Sequence, residues 1–160
     1  LADNETELEE NIELSLDAYN LLGIGYSLKK GGEQQSIFYY KKCIDQKPNE
    51  HSFYRNRAIS YIYLEQLPNL PLKIRNSYKQ KADEDLKKVI EIAKNTENKD
   101  YQILHSEALA YDLLGNPKLA LSLINKSIES FKIETNIFKK DKNEFKEIKL
   151  LHKDLIKAVN

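Results

Sequence analysis

Three histidines, one cysteine and two short runs of adjacent acids are the residues of this 160-residue chain whose types could do chemistry. His51, His105 and His152 form no i, i+4 pair, and Cys43 stands alone, so the ligand spacing of a zinc site is missing and no metal is expected. Cys43 falls on a helical stripe with Ile37, Tyr40 and Ile44, which fits a buried, inert thiol better than a nucleophile. One cysteine also excludes an internal disulfide framework. The acidic runs Glu9-Glu10 and Asp83-Glu84-Asp85 are consecutive on helical stretches, where neighbours point about 100° apart. They do not converge as a catalytic pair and are expected to be solvated faces. No glycine-rich phosphate loop, nucleophile elbow or zinc-protease motif occurs, so neither enzyme activity nor a cofactor is expected.

The bulk composition narrows the classes further. Lysine and arginine number 25, as do aspartate and glutamate, so no net field draws the chain to nucleic acid. Arg55, Arg57 and Arg75 are the only arginines among those 25 bases, and lysine is the weaker choice for bidentate phosphate contacts. Nucleic acid is therefore not an expected partner. No run approaches the length of a membrane-spanning helix. Five glycines and four prolines are too few turn-formers for a many-stranded sandwich or barrel. Charge is uneven along the chain: residues 1–28 carry Asp3, Glu5, Glu7, Glu9, Glu10, Glu13 and Asp17 and no base. That arm reads either as a solvated face complementing a helix dipole or as a contact for a basic surface. The chain opens at Leu1 and has no methionine, as in a processed or excised protein. Its compartment is unreadable, with a lean toward the cell envelope of a bacterium and the cytoplasm as alternative.

Periodicity of three and four predicts helices nearly throughout. The first begins after Asn4, with Glu7 as a capping-box partner, and ends at Gly31-Gly32. Others are predicted over about 35–47, 51–66, 72–94, 101–114, 117–132 and 142–159, the last opened by a capping box of Asp141 and Glu144. Within this series three segments superpose: AYNLLGIGY, FYRNRAISY and ILHSEALAY. Each holds a small residue three before a terminal tyrosine, as Gly23/Tyr26, Ala58/Tyr61 and Ala108/Tyr111. A second helix follows each, bearing Ser36/Tyr40/Cys43, Ala82/Leu86/Val89 or Ala120/Ile124/Ser127. Two helices approach closely only where one offers a notch to the other's bulk.

On these residues the sequence resembles the tetratricopeptide repeat family, whose helix–turn–helix units carry this pattern. The resemblance implies an all-α fold, a right-handed α-α superhelix of about three units, in one domain spanning 1–160. Its parts would be an acidic helical extension (1–15), repeat 1 (16–50), repeat 2 (51–100), repeat 3 (101–132) and a capping helix (140–160). Tyr61 and Ala82 lie 21 residues apart where Tyr111 and Ala120 lie nine apart, so twelve residues are inserted in repeat 2. A projecting hairpin at 67–78, with both helices extended, is expected there. In the last helix Phe145, Ile148, Leu151, Leu155, Ile156 and Val159 are expected to face inward.

The resemblance also implies a concave groove lined by the first helix of each unit. Carried onto this chain, its candidate partner-binding residues are Asn20, Ile24, Arg55, Ile59, Tyr63, His105, Leu109 and Asp112, with Ser27 beside them. Asn20 and Ile24 stand where some members clamp a carboxylate with lysine and asparagine, so that clamp is not expected. Lys73, Arg75, Lys79 and Lys81 form a candidate basic patch on the hairpin. Arg57 occupies a position the family fills with an aliphatic residue; it either snorkels or meets an unidentified carboxylate. The expected function is a non-catalytic scaffold or adaptor that binds another protein or peptide through the groove, the hairpin or both. The alternatives are a self-assembling homo-oligomer joined through the acidic arm and, more distantly, an RNA-binding helical repeat.

Overall fold

The computed structural model describes residues 14–138 and 142–159, and side chains within them except 134–138 and 142–145. Seven helices occupy these residues, and none of them is a strand: α1 Leu16–Ser27, α2 Glu33–Gln46, α3 His51–Glu65, α4 Leu72–Lys94, α5 Tyr101–Leu113, α6 Pro117–Phe138 and α7 Lys142–Val159. The acidic extension over 1–13, with its cap at Asn4 and Glu7, lies outside the described residues, as does Asp141.

Side chains start the helices where polar caps were available. The Ser15 hydroxyl accepts from the Ala18 amide at 3.2 Å, and the Asp100 carboxylate accepts from the Ile103 amide at 2.9 Å. Gly31 and Gly115 adopt φ of 77° and 84°, the left-handed geometry that lets the turns inside units 1 and 3 close. α1 ends at Ser27, four residues before Gly31, and Gly32 instead caps α2 while lying against the Tyr26 carbonyl.

Consecutive helices pack as antiparallel pairs, α1 with α2, α3 with α4 and α5 with α6, and each pair packs on the next. The notches behave as the pattern requires. Gly23 is buried, and a Cβ placed on it would come within 2.8 Å of the Tyr40 ring. Ala58 and Ala108 are wholly buried, as are Ala120 and Ser36 on the facing helices. Tyr19, Tyr40, Phe53, Tyr54, Leu86 and Val89 fill one core across units 1 and 2. Tyr101, Leu104, Leu123, Ile124 and Phe131 fill a second, closed by Ile148 and Leu155 of α7. Cys43 is fully buried, and burial pushes its thiol up to about 11.

Three sequence expectations need correction. The insertion does not lengthen the two helices of repeat 2 alike into a hairpin over 67–78. α3 has 15 residues against 13 in α5, whereas Ala82 is the eleventh residue of α4 where Ala120 is the fourth of α6 and Ser36 the fourth of α2, so the insertion is chiefly a short loop plus about two extra turns at the start of α4. That extension is fastened to the stack: Arg75 donates to the Glu65 carbonyl at 2.6 Å and the Leu67 carbonyl at 3.2 Å, and Gln34 donates to the Tyr78 hydroxyl at 2.9 Å. α6 runs to Phe138, past the end at 132 set for repeat 3. Ile156 is 40% exposed rather than inward, while the side chain of Phe145 is outside those described.

Asp85 is also not part of a solvated face. It is 5% exposed and receives Arg57 in a bidentate pair, Nε at 2.8 Å and Nη2 at 2.7 Å. Burial pushes the Asp85 carboxyl up, against the pull of the Arg57 guanidinium. The partner of Arg57 was hidden in the sequence because it lies 28 residues away on the lengthened helix.

Candidate functional site

The groove face of α1, α3, α5 and α7 encloses a cavity of about 280 Å³. It brings together Asn20, Ile24, Arg55 and His105 from the expected set. Asn20, Arg55 and His105 are the same position of successive units, each two residues before the residue that precedes the notch. A single column of the repeat therefore becomes one wall, because the first helices run side by side and present the same turn inward. Ile59, Tyr63, Leu109 and Asp112 lie one and two turns further on and do not line this cavity. Tyr63 is 56% exposed.

Further residues join the wall: Glu50, His51, Ser52 and Asn56 of α3 and its cap, Tyr101 and Gln102 at the start of α5, and Glu147 and Ile148 of α7. Arg55 ties two units together, donating through Nη1 to the Ser106 hydroxyl at 2.9 Å and through Nε to the Asn56 side chain at 3.1 Å. Glu50 accepts from the Ser52 hydroxyl at 2.9 Å and from Lys47 at 3.0 Å. Burial works to raise its carboxyl, but these donors and nearby His51 outweigh it and hold the group below its usual range.

The two histidines are kept neutral. Burial pushes His105 down to about 4, with Arg55 and His51 adding repulsion. Burial also lowers His51, only partly opposed by Glu50, whose carboxylate lies 3.7 Å from Nε2. The other ring nitrogen, Nδ1, is buried without a hydrogen-bond partner, alone in this among the described side chains. No group of three or more His, Cys, Asp or Glu among the described residues is placed to hold a metal ion. No helix among the described residues is long and apolar enough to cross a membrane.

α7 explains the residues that sequence reasoning missed. Glu147 and Ile148 meet the cavity beside Tyr101 and Gln102 at the start of α5, while Asp154 lies close enough to Asp112, at the end of α5, to help burial raise its carboxyl. α7 thus runs parallel to α5, in the place the first helix of a fourth unit would take, and it lengthens the groove as well as covering the core. His51 and Glu50 carried a signal: they open the first helix of unit 2 on the turn just before Arg55.

The basic patch is divided. Arg75 caps the end of α3, and Lys81 sits 5.7 Å from the Tyr61 ring centroid. Tyr61 itself stacks on Tyr78 at 6.2 Å. Lys73 and Lys79 are exposed.

No family model and no curated protein matches the sequence. Among solved structures, the chain is similar to the TPR2B domain of yeast Sti1 in its complex with pHsp70. The TM-score is 0.55 at 19% identity, over 89% of this chain and 97% of that one. The fold is thus of the tetratricopeptide repeat type that the three sequence units imply.

Proposed function

We propose, from the tetratricopeptide-type fold, that this chain is a non-catalytic scaffold whose groove receives an extended segment of a partner protein. The observation that carries this reading is the cavity to which all three units and α7 contribute side chains. Its wall mixes hydrogen-bonding groups (Asn20, Asn56, Gln102, Arg55) with the apolar Ile24 and Ile148. Such a wall suits a peptide held by a few polar contacts and one or two apolar side chains. Glu50 there is engaged by Lys47 and the Ser52 hydroxyl, and His105 is held neutral. That Sti1 domain was itself solved in complex with pHsp70, which supports a protein or peptide partner here.

Selection from a random peptide library displayed on phage tests the reading. Peptides should be recovered that lose at least about tenfold in affinity on Asn20→Ala and on Arg55→Ala, equivalent to about 1.4 kcal/mol each. Tyr63→Ala, outside the cavity, should leave affinity unchanged. Peptides whose binding ignores the first two substitutions, or recovery of none, would contradict groove recognition.

A further inference from the structure

The two edges of the helical stack differ in a way the groove does not explain. Because consecutive helices are antiparallel, the turns inside the units (28–32, 66–71 and 114–116) lie on one edge, and the turns between units (47–50 and 95–100) lie on the other. The hydrogen bond from Gln34 to Tyr78 joins the start of α2 to α4 about two turns in, so the 66–71 turn stands beyond the 28–32 turn on that edge. The turns between units, KPNE and NTENKD, contain no large apolar residue. The inner edge is the reverse: Leu28 is 83% exposed, Leu72 71%, Leu67 43% and Leu113 40%. Exposed Lys29, Lys30, Lys73 and Lys118 accompany these leucines, and the three inner turns contain no acid. The nearest acids, Glu33, Glu65 and Asp112, are partly buried.

An edge that exposes leucines among lysines calls for an acidic segment with apolar residues of its own. The chain carries one. Residues 1–13 hold six acids (Asp3, Glu5, Glu7, Glu9, Glu10, Glu13), no base, and Leu8 and Ile12 among them. We propose that the inner edge binds the acidic N-terminal segment of a second copy of this chain. The placement of Leu14 favours a second copy over the same one. Its carbonyl accepts from Gln46 at the end of α2, so the segment leaves the stack at the opposite edge. To return to the leucines of its own chain the segment would have to run back the length of α1, about 18 Å for its 12 residues, and so spend about five extended residues, Glu9, Glu10 and Glu13 among them, that a second copy leaves free to meet the lysines. This proposal concerns a different surface from the groove and stands or falls independently of it.

Sedimentation velocity on the intact chain tests it, at about 50 mM and about 500 mM salt, since screening shortens the reach of exposed charges several-fold. The expected result is a concentration-dependent mass above 18.6 kDa at low salt that returns to 18.6 kDa at high salt. Lys29→Glu with Lys73→Glu should leave a monomer under both conditions, and so should Glu7→Lys, Glu9→Lys and Glu10→Lys in the segment. Mixing those two variants should restore association, because a reversed edge then meets a reversed segment. Leu72→Ser should weaken self-association at least about fivefold without changing its salt dependence. A wild-type monomer at every concentration, association that survives both charge reversals, or a mixture that stays monomeric would overturn the proposal. So would binding of anionic vesicles by a chain that never self-associates.

Discussion

Arg57 and Glu107 occupy the same place in the second and third units, one residue before a buried alanine, where the first unit has Leu22. Both charges are answered, but from different directions. Arg57 reaches across to Asp85 on its own unit's second helix in a two-pronged contact. Glu107, 4% exposed, accepts from Lys99 at 2.7 Å, a residue of the turn just before its own helix. The first pair ties two helices together; the second ties a helix to its entrance. The same notch geometry therefore accepts leucine, a cation or an anion beside it, provided a buried charge finds its counterpart.

That difference can be broken one partner at a time. The largest effect is expected from Arg57→Leu, which strands Asp85 in the core and should cost about 4 kcal/mol in chemical denaturation. Adding Asp85→Leu should return most of it, because an apolar pair removes the stranded charge. A double variant no better than the single would mean that the pair is not the source of the loss. Gly23→Val should follow at about 3 kcal/mol, since the added methyls meet the Tyr40 ring. Tyr40→Leu in the same chain should recover part of that loss, and Gly25→Val, where nothing lies within 4 Å, should not approach it.

Acidification separates the two units in another column. His105 titrates at about 4 when folded against an ordinary 6.5, whereas Arg55 stays charged throughout. Between those values the unfolded chain takes up a proton that the folded one refuses. Stability present above pH 6.5 is therefore lost as pH falls toward 4, by about 3 kcal/mol at most. His105→Gln should flatten that part of the stability–pH curve; an unchanged slope would place the titration elsewhere. Glu107→Gln should cost less, about 2 kcal/mol, because partly exposed Lys99 can turn to solvent. Arg75→Ala should cost least, about 1 kcal/mol, from the two carbonyls it leaves at the end of α3.

Much of this arrangement was legible in the residues. The bounds of α4, Leu72–Lys94, follow from Pro71 before it and the apolar stripe within it, and the notches follow from small residues at fixed spacing. The wall of Asn20, Arg55 and His105 was legible for the same reason: one repeat column faces one way. What was illegible depended on distance in sequence. Asp85 read as surface because its neighbours Asp83 and Glu84 are acidic and its partner sits on another helix. The long α4 read as half of a hairpin because local spacing says how many residues are inserted, not which helix absorbs them. Glu147 was missed because a closing helix and the first helix of a further unit carry the same apolar stripe.

On the function proposed above, the column of Asn20, Arg55 and His105 is the surface that holds a partner. Two-dimensional NMR of the chain, titrated with a peptide selected on it, tests this most directly through the side-chain signals of Asn20, Arg55 and His105. All three are expected to shift together and saturate at one peptide per chain, while Cys43 in the core and Lys118 on the inner edge hold still. Shifts confined to the edge leucines or to the outer helices, with these three unmoved, would contradict it.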